Sequence, residues 1–166
     1  MPSIHGVTCV DNDTVAVISA SERNIHLVSL KSGKAVRIIK TNFFSHGLTF
    51  TEESFIVCPA QDQMQEVRLD NNTRCIGSNV LETYVASLGN ALFFVKKDTH
   101  SVVCINKNGD ILWTFTNDTD LSGPRCITVD EHGNTFVVGY NSNNVIAIDT
   151  SGKQHKILFI RNRLMW

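Results

Sequence analysis

The sequence predicts an all-β chain, a β-propeller fragment of about four four-stranded antiparallel blades. Short apolar runs recur every eight to twelve residues between turn signals, and helical periodicity is hard to find anywhere. The apolar residue that closes each third run falls at Leu30, Leu69, Ile105 and Ile148, spacings of 39, 36 and 43 residues, the period expected of a four-strand meander. Residues 124–153, PRCITVDEHGNTFVVGYNSNNVIAIDTSGK, set the unit out most clearly: strand, Asp-x-x-Gly-Asn turn, strand, Asn-rich loop, strand and Ser-Gly turn. A unit of this kind cannot bury its own faces alone, so repeats of it stack as an array.

Taken in order, the array forms one domain over 1–166, with blades at 5–41, 46–77, 83–117 and 124–160 and a tail at 161–166. The first blade is expected to use runs 7–10, 15–18, 25–30 and 35–39, and the second 47–50, 54–57, 66–69 and 74–76. The third follows at 84–88, 91–95, 102–105 and 111–116, and the fourth at 126–129, 135–138, 145–148 and 155–160. Lys31-Ser32-Gly33-Lys34, Lys107-Asn108-Gly109-Asp110 and Thr150-Ser151-Gly152-Lys153 occupy one place in three blades, where a tight hairpin needs a residue tolerant of positive φ. The second blade has Asp70-Asn71-Asn72-Thr73 there, and Asn is the next-best residue for that conformation.

Composition excludes some functions. With 15 basic and 16 acidic residues the formal charge is −1, so no global field draws the chain to nucleic acid or an anionic membrane. No apolar run approaches the ~18 residues that would span a bilayer, and no membrane partner is expected. The five cysteines, at 9, 58, 75, 104 and 126, form no C-x-x-C pair and have no His at zinc-ligand spacing. Their odd number and largely apolar contexts read as reduced thiols, and the opening residues have neither a basic nor an apolar leader region, so a cytoplasmic location is expected. Three Asn-x-Thr sequons, at Asn12, Asn71 and Asn117, point the other way, but such tripeptides arise readily in an Asn- and Thr-rich chain.

The pattern P-R-x-I-T-V-D-x-x-G-N-x-F-V-V-x-Y-N-S-N-N-V-I-x-I-x-x-x-G-K over 124–153 resembles an NHL repeat. With GVTCVDNDTVAVISASERNIHLVSLKSGK near its start and DILWTFTND before the last blade, the chain is similar to the C-terminal propellers of tripartite-motif and B-box proteins, notably the expanded invertebrate sets. The resemblance implies an incomplete six-bladed propeller. It also implies a non-catalytic interaction module, the substrate-binding part of a ubiquitin ligase or, alternatively, an RNA-binding post-transcriptional regulator. The expected partner is a protein ligand or ubiquitination substrate, with single-stranded RNA as the alternative. The chain carries no Cys/His-rich RING or B-box module and no further repeat after Ile160, and a truncated product is expected. Four blades would leave two apolar sheet faces uncovered, so self-association is expected as well.

In a propeller, the loops between second and third strands share one face with the links between blades, and a rigid scaffold commonly uses such loops for binding. Here that face is expected from residues 19–24, 41–46, 58–65, 77–83, 96–101, 117–125 and 139–144. Its candidate ligand-binding residues are Arg23, Asn24, Lys96, Lys97, His100, Arg125, Tyr140, Asn141 and Asn143. Arg and Tyr are common interface anchors, while cations beside a stacking ring also suit single-stranded RNA. With so few cations, protein binding is favoured.

His5-Gly6 and His46-Gly47 match between blades, but no carboxylate or further His recurs beside them, and no metal or other cofactor is expected. Asp11 and Asp130 also match, and are expected to bond turn amides rather than to serve as the axial carboxylates of a propeller hydrolase or lyase. Trp113, Phe115, Phe43 and Phe44 are expected between blades. No G-x-S-x-G elbow or Cys/His pairing supplies a nucleophile, and the chain is expected not to be an enzyme.

Overall fold

The computed structural model describes residues 4–19, 21–59, 63–79 and 83–160. The first sheet is β1 (Ile4–Cys9), β2 (Thr14–Ser19), β3 (Asn24–Ser29) and β4 (Ala35–Lys40), and the second β5 (Ser45–Phe50), β6 (Ser54–Pro59), β7 (Gln63–Arg68) and β8 (Thr73–Asn79). The third is β9 (Val85–Leu88), β10 (Ala91–Lys96), β11 (Ser101–Asn106) and β12 (Ile111–Thr116), and the fourth β13 (Pro124–Val129), β14 (Thr135–Gly139), β15 (Asn144–Ile148) and β16 (His155–Ile160). Each sheet is a four-stranded antiparallel meander in chain order, so all sixteen expected runs are strands. The tail 161–166 and parts of the loops 19–24, 58–65 and 77–83 lie outside the described residues.

Turn chemistry acts as the sequence requires. The hairpins between third and fourth strands carry positive φ at Gly33 (64°), Asn71 (69°), Gly109 (93°) and Gly152 (69°). Asn71 thus does in the second blade what glycine does in the other three. At the turn of the fourth blade, Asp130 Oδ1 accepts the backbone N–H groups of His132 (3.0 Å) and Asn134 (2.8 Å), and Asp11 Oδ1 accepts that of Asp13 at 2.8 Å. Both carboxylates hold turns.

The core lies in three seams between neighbouring blades. Ala16, Ile18, Ile25, Leu27 and Ile39 of the first blade meet Leu48, Phe55, Val57 and Val67 of the second. Ile56, Cys58, Met64 and Ile76 meet Leu92, Phe94, Val103 and Ile105 of the third. On the far side of that blade Phe93, Val95, Val102, Cys104 and Phe115 meet Leu121, Ile127, Val137, Ile146 and Ile148. The two middle blades therefore send alternate residues of one strand into opposite seams, which is why β6 and β10 read as unbroken apolar runs. In the outer blades β2 and β14 alternate buried with more exposed residues.

Glycines let the innermost strands come close. A Cβ on Gly6 would stand 2.9 Å from Ile18 and 3.3 Å from the His46 carbonyl of the next blade. A Cβ on Gly47 would fall well inside 3.0 Å of the Thr83 carbonyl, one blade further on. The same His-Gly step, read twice in the sequence, thus seats β1 against β5 and β5 against the approach to β9.

Contacts between inner strands run β1 to β5, β5 to β9 and β9 to β13, and no packing of comparable extent joins the fourth sheet to the first among the described residues. The outward faces of the end blades are accordingly open. One cross-strand row of the first is Val7, Val17, His26 and Ile38, with Val7 65% and Ile38 52% exposed. The fourth presents Val138, Val145 and Phe159, the last 60% exposed.

One buried carboxylate couples the second blade to pH. Burial alone would push Glu66 up, but hydrogen bonds from Ser54 and Arg74 and the charges of Arg74 and Arg68 outweigh it and hold the carboxyl below its ordinary 4.5. A depressed folded-state value gives stability that is present above pH 4.5 and lost as pH falls through the folded value. Thermal melting followed from neutral pH down to about pH 3 should show that loss, and Glu66→Gln should flatten part of it. Asp70, Asp130 and Asp149, which turn hydrogen bonds also hold below the ordinary Asp range, act with the same sign.

Candidate functional site

The upper rim, where second-to-third-strand loops and inter-blade links meet, is built most firmly at the junction of the third and fourth blades. Leu121, fully buried, anchors the link 117–123 in the seam, and its N–H donates to the Asn117 carbonyl at 2.8 Å. From there the link is tied to the loop 140–143: Tyr140 N–H donates to Gly123 O at 3.1 Å, Asn141 N–H to Ser122 O at 3.0 Å, and Ser122 N–H to Ser142 Oγ at 3.1 Å. Asn144 Nδ2 closes the frame by donating to Asp120 O at 2.5 Å. Below it, His155 Nε2 lies 2.8 Å from Asp120 Oδ2 and 3.2 Å from Asn117 Nδ2, fastening β16 to the same link. The loops of the site are thus parts of a hydrogen-bonded frame.

This frame gathers five of the nine sequence-predicted residues. Lys97, His100, Arg125, Tyr140 and Asn141, with Gly123 and Pro124, line one cleft of about 190 Å³. The Arg125 guanidinium carbon sits 3.8 Å from the centre of the Tyr140 ring. His100 (φ 48°) and Asn143 (φ 53°) each stand immediately before the third strand of their blade, so a left-handed residue turns both loops at the same place. Tyr140, Asn141 and Asn143 also border a larger groove of about 580 Å³ that opens over Val138, Val145 and Phe159. Lys96 ends β10 beside Lys97, paired with Ser101.

Arg23 and Asn24 stand apart on the first blade. Arg23 lies 4.7 Å from the centre of the Phe44 ring, and Phe44 is 41% exposed rather than packed between blades as expected. Phe43, Phe115 and Trp113 do pack between blades, Trp113 lying against Phe93 and so close over Gly152 that a Cβ there would meet its indole at 2.5 Å. Gly123 was not among the sequence candidates, its one sequence cue being the Gly123-Pro124 pair; the structure adds a φ of +58° and a Cβ that would strike the Asn141 side chain.

Other chemistry-bearing groups are accounted for structurally. His5 Nδ1 and His46 Nδ1 lie 3.0 Å apart at the tops of adjacent inner strands, and the described residues contain no group of three His, Cys, Asp or Glu placed to hold a metal ion. All five cysteines are free thiols. Burial raises the Cys58 thiol far above its ordinary range and pushes Cys104 up to about 11, so both stay protonated as packing groups at neutral pH.

No family model and no curated protein matches the chain. Solved structures do match. A chain from the crystal structure of a nidogen/laminin complex aligns with a TM-score of 0.78 at 16% identity, over 92% of this chain and 62% of that one. A streptogramin B lyase aligns at 0.77 and 12% identity, over 98% and 57%. Virginiamycin B lyase from Staphylococcus aureus, selenomethionine-substituted, aligns at 0.69 and 16% identity, over 98% and 71%. The chain thus spans about three fifths of the first two matched chains. At such identities the likeness is one of fold. The expectation that the chain is not an enzyme, drawn from missing motifs, is overturned, because lyases are built on the same arrangement of blades and absent motifs do not separate this chain from them. The chain is a β-propeller array of four four-stranded blades.

Proposed function

We propose that this chain is a protein-binding propeller whose ligand meets the upper rim at the junction of the third and fourth blades. The observation that carries this reading is the convergence of Lys97, His100, Arg125, Tyr140 and Asn141 on one cleft framed by backbone hydrogen bonds. Arg and Tyr are the residue types that most often anchor protein interfaces, and a pre-set frame lowers the entropy cost of holding them in place. A propeller from a nidogen/laminin complex, a protein–protein assembly, is among the structures this chain resembles. The NHL-like fourth repeat extends the proposal to a tripartite-motif-like setting in which the ligand is a ubiquitination substrate. Five free thiols suit the reducing cytosol that goes with it.

The test is to pan a random-peptide phage library on the folded chain and to measure the selected peptides by fluorescence anisotropy. Arg125→Ala combined with Tyr140→Ala should weaken them roughly tenfold or more, since hot-spot losses run at about 2 kcal/mol. Lys153→Ala, on the opposite rim in the Asp149–Gln154 turn, should leave them unchanged. An empty selection, or peptides indifferent to Arg125 and Tyr140, would contradict the reading.

A further inference from the structure

Resting on that reading, we infer that the cleft between Lys97, His100, Arg125, Tyr140 and Asn141 seats a carboxylate side chain of an acidic segment in the protein ligand. Three features lead there. Among the described residues the lining holds Arg125 and His100 and no Asp or Glu, with Lys97 at its border. Arg125 lies over an aromatic ring and, among the described residues, pairs with no carboxylate, so its guanidinium donors are not consumed by an internal ion pair. Stacking on Tyr140 restrains the flat group, and the N–H donors along its edge match the two oxygens of a carboxylate.

Size and stacking select among anions. At about 190 Å³ the cleft is below the roughly 300–1,000 Å³ of small-molecule sites and takes one side chain. The Tyr140 ring is already covered on one side by Arg125, which removes that face from a nucleobase. Asn141 adds a side-chain amide, its backbone N–H being already committed to Ser122, and the amide can serve the peptide backbone beside the acidic residue.

The selected peptides provide the experiment. Asp or Glu should be enriched among them relative to the input library. Replacing that residue with Asn or Gln should weaken binding about tenfold, the loss of one charge-assisted hydrogen-bonded pair. Arg125→Gln should cost a similar factor, Arg125→Lys should restore part of it, and near-UV circular dichroism should show each variant folded. Affinity should fall as salt is raised. Selected peptides that depend on Arg125 and Tyr140 but carry no acidic residue would overturn this inference and leave the protein-binding reading standing. Peptides whose phosphoserine versions bind tighter than their Asp versions would move the site from carboxylate to phosphate. An oligouridylate that outcompetes the acidic peptides would overturn the inference in favour of RNA.

Discussion

Replacing Gly47 with Ala should cost about 3 kcal/mol of stability, at the upper end of what overpacking usually costs. The added methyl would fall on the Thr83 carbonyl and 3.1 Å from the Tyr84 Cα, both backbone atoms of the neighbouring blade. A flexible side chain could step aside, but these atoms are held by the sheet that starts at Val85 and by the Thr83 hydroxyl, which donates to the Val95 carbonyl. The second and third blades would have to separate along their inner strands, loosening the seam of Ile56, Leu92 and Phe94. Gly33→Ala is the control. Nothing lies within 4 Å of its added Cβ, so only the strain of φ +64° remains, about 1 kcal/mol. Urea unfolding of the two variants should separate them clearly, and equal losses would mean that close approach of the inner strands is not what Gly47 provides.

Val7 and Ile38 on the first blade, and Val138 and Phe159 on the fourth, lie on the two sheet faces that no neighbouring blade covers among the described residues. In the three seams, faces of this kind are buried against one another. Contact between the outward face of one copy and the opposite outward face of another would be head-to-tail, which gives rings or open chains rather than a two-fold dimer. Light scattering after size exclusion should therefore show mass rising with concentration. Phe159→Lys with Val138→Lys should shift the distribution toward the monomer. A wild-type chain that stays monomeric at high concentration would refute the expectation.

Much of the fold was legible because the relevant physics is local. Turn residues and period-two apolar runs are written in consecutive letters, so the strands could be placed; that Phe55-Ile56-Val57-Cys58 and Leu92-Phe93-Phe94-Val95 are buried on both sides emerges from the seams. Asn71 could be placed in a left-handed turn by comparison with the glycines of the other blades. The position of the site was only half legible. Loop membership follows from the repeat, so Lys97, His100, Arg125, Tyr140 and Asn141 could be named. Their convergence depends on the path of the link 117–123, which is set by Leu121 entering the seam and by Ser122 and Gly123 bonding across to the next loop. Periodicity says nothing about such a link. Arg23 and Asn24 were equally plausible on residue type, yet they belong to a different blade, where Arg23 lies over Phe44 and away from the cleft. Catalytic status was read from missing motifs, and that inference failed because one blade architecture carries both binding proteins and lyases.

If ligand meets the junction of the third and fourth blades, hydrogen-exchange footprinting of the chain with and without a selected peptide, read by mass spectrometry, will show protection there. Protection should concentrate in 97–100, 122–125 and 140–143, with the turns at Lys31–Lys34 and Lys107–Asp110 unchanged. Protection on those opposite turns, or confined to the open faces around Val7 or Phe159, would contradict the account.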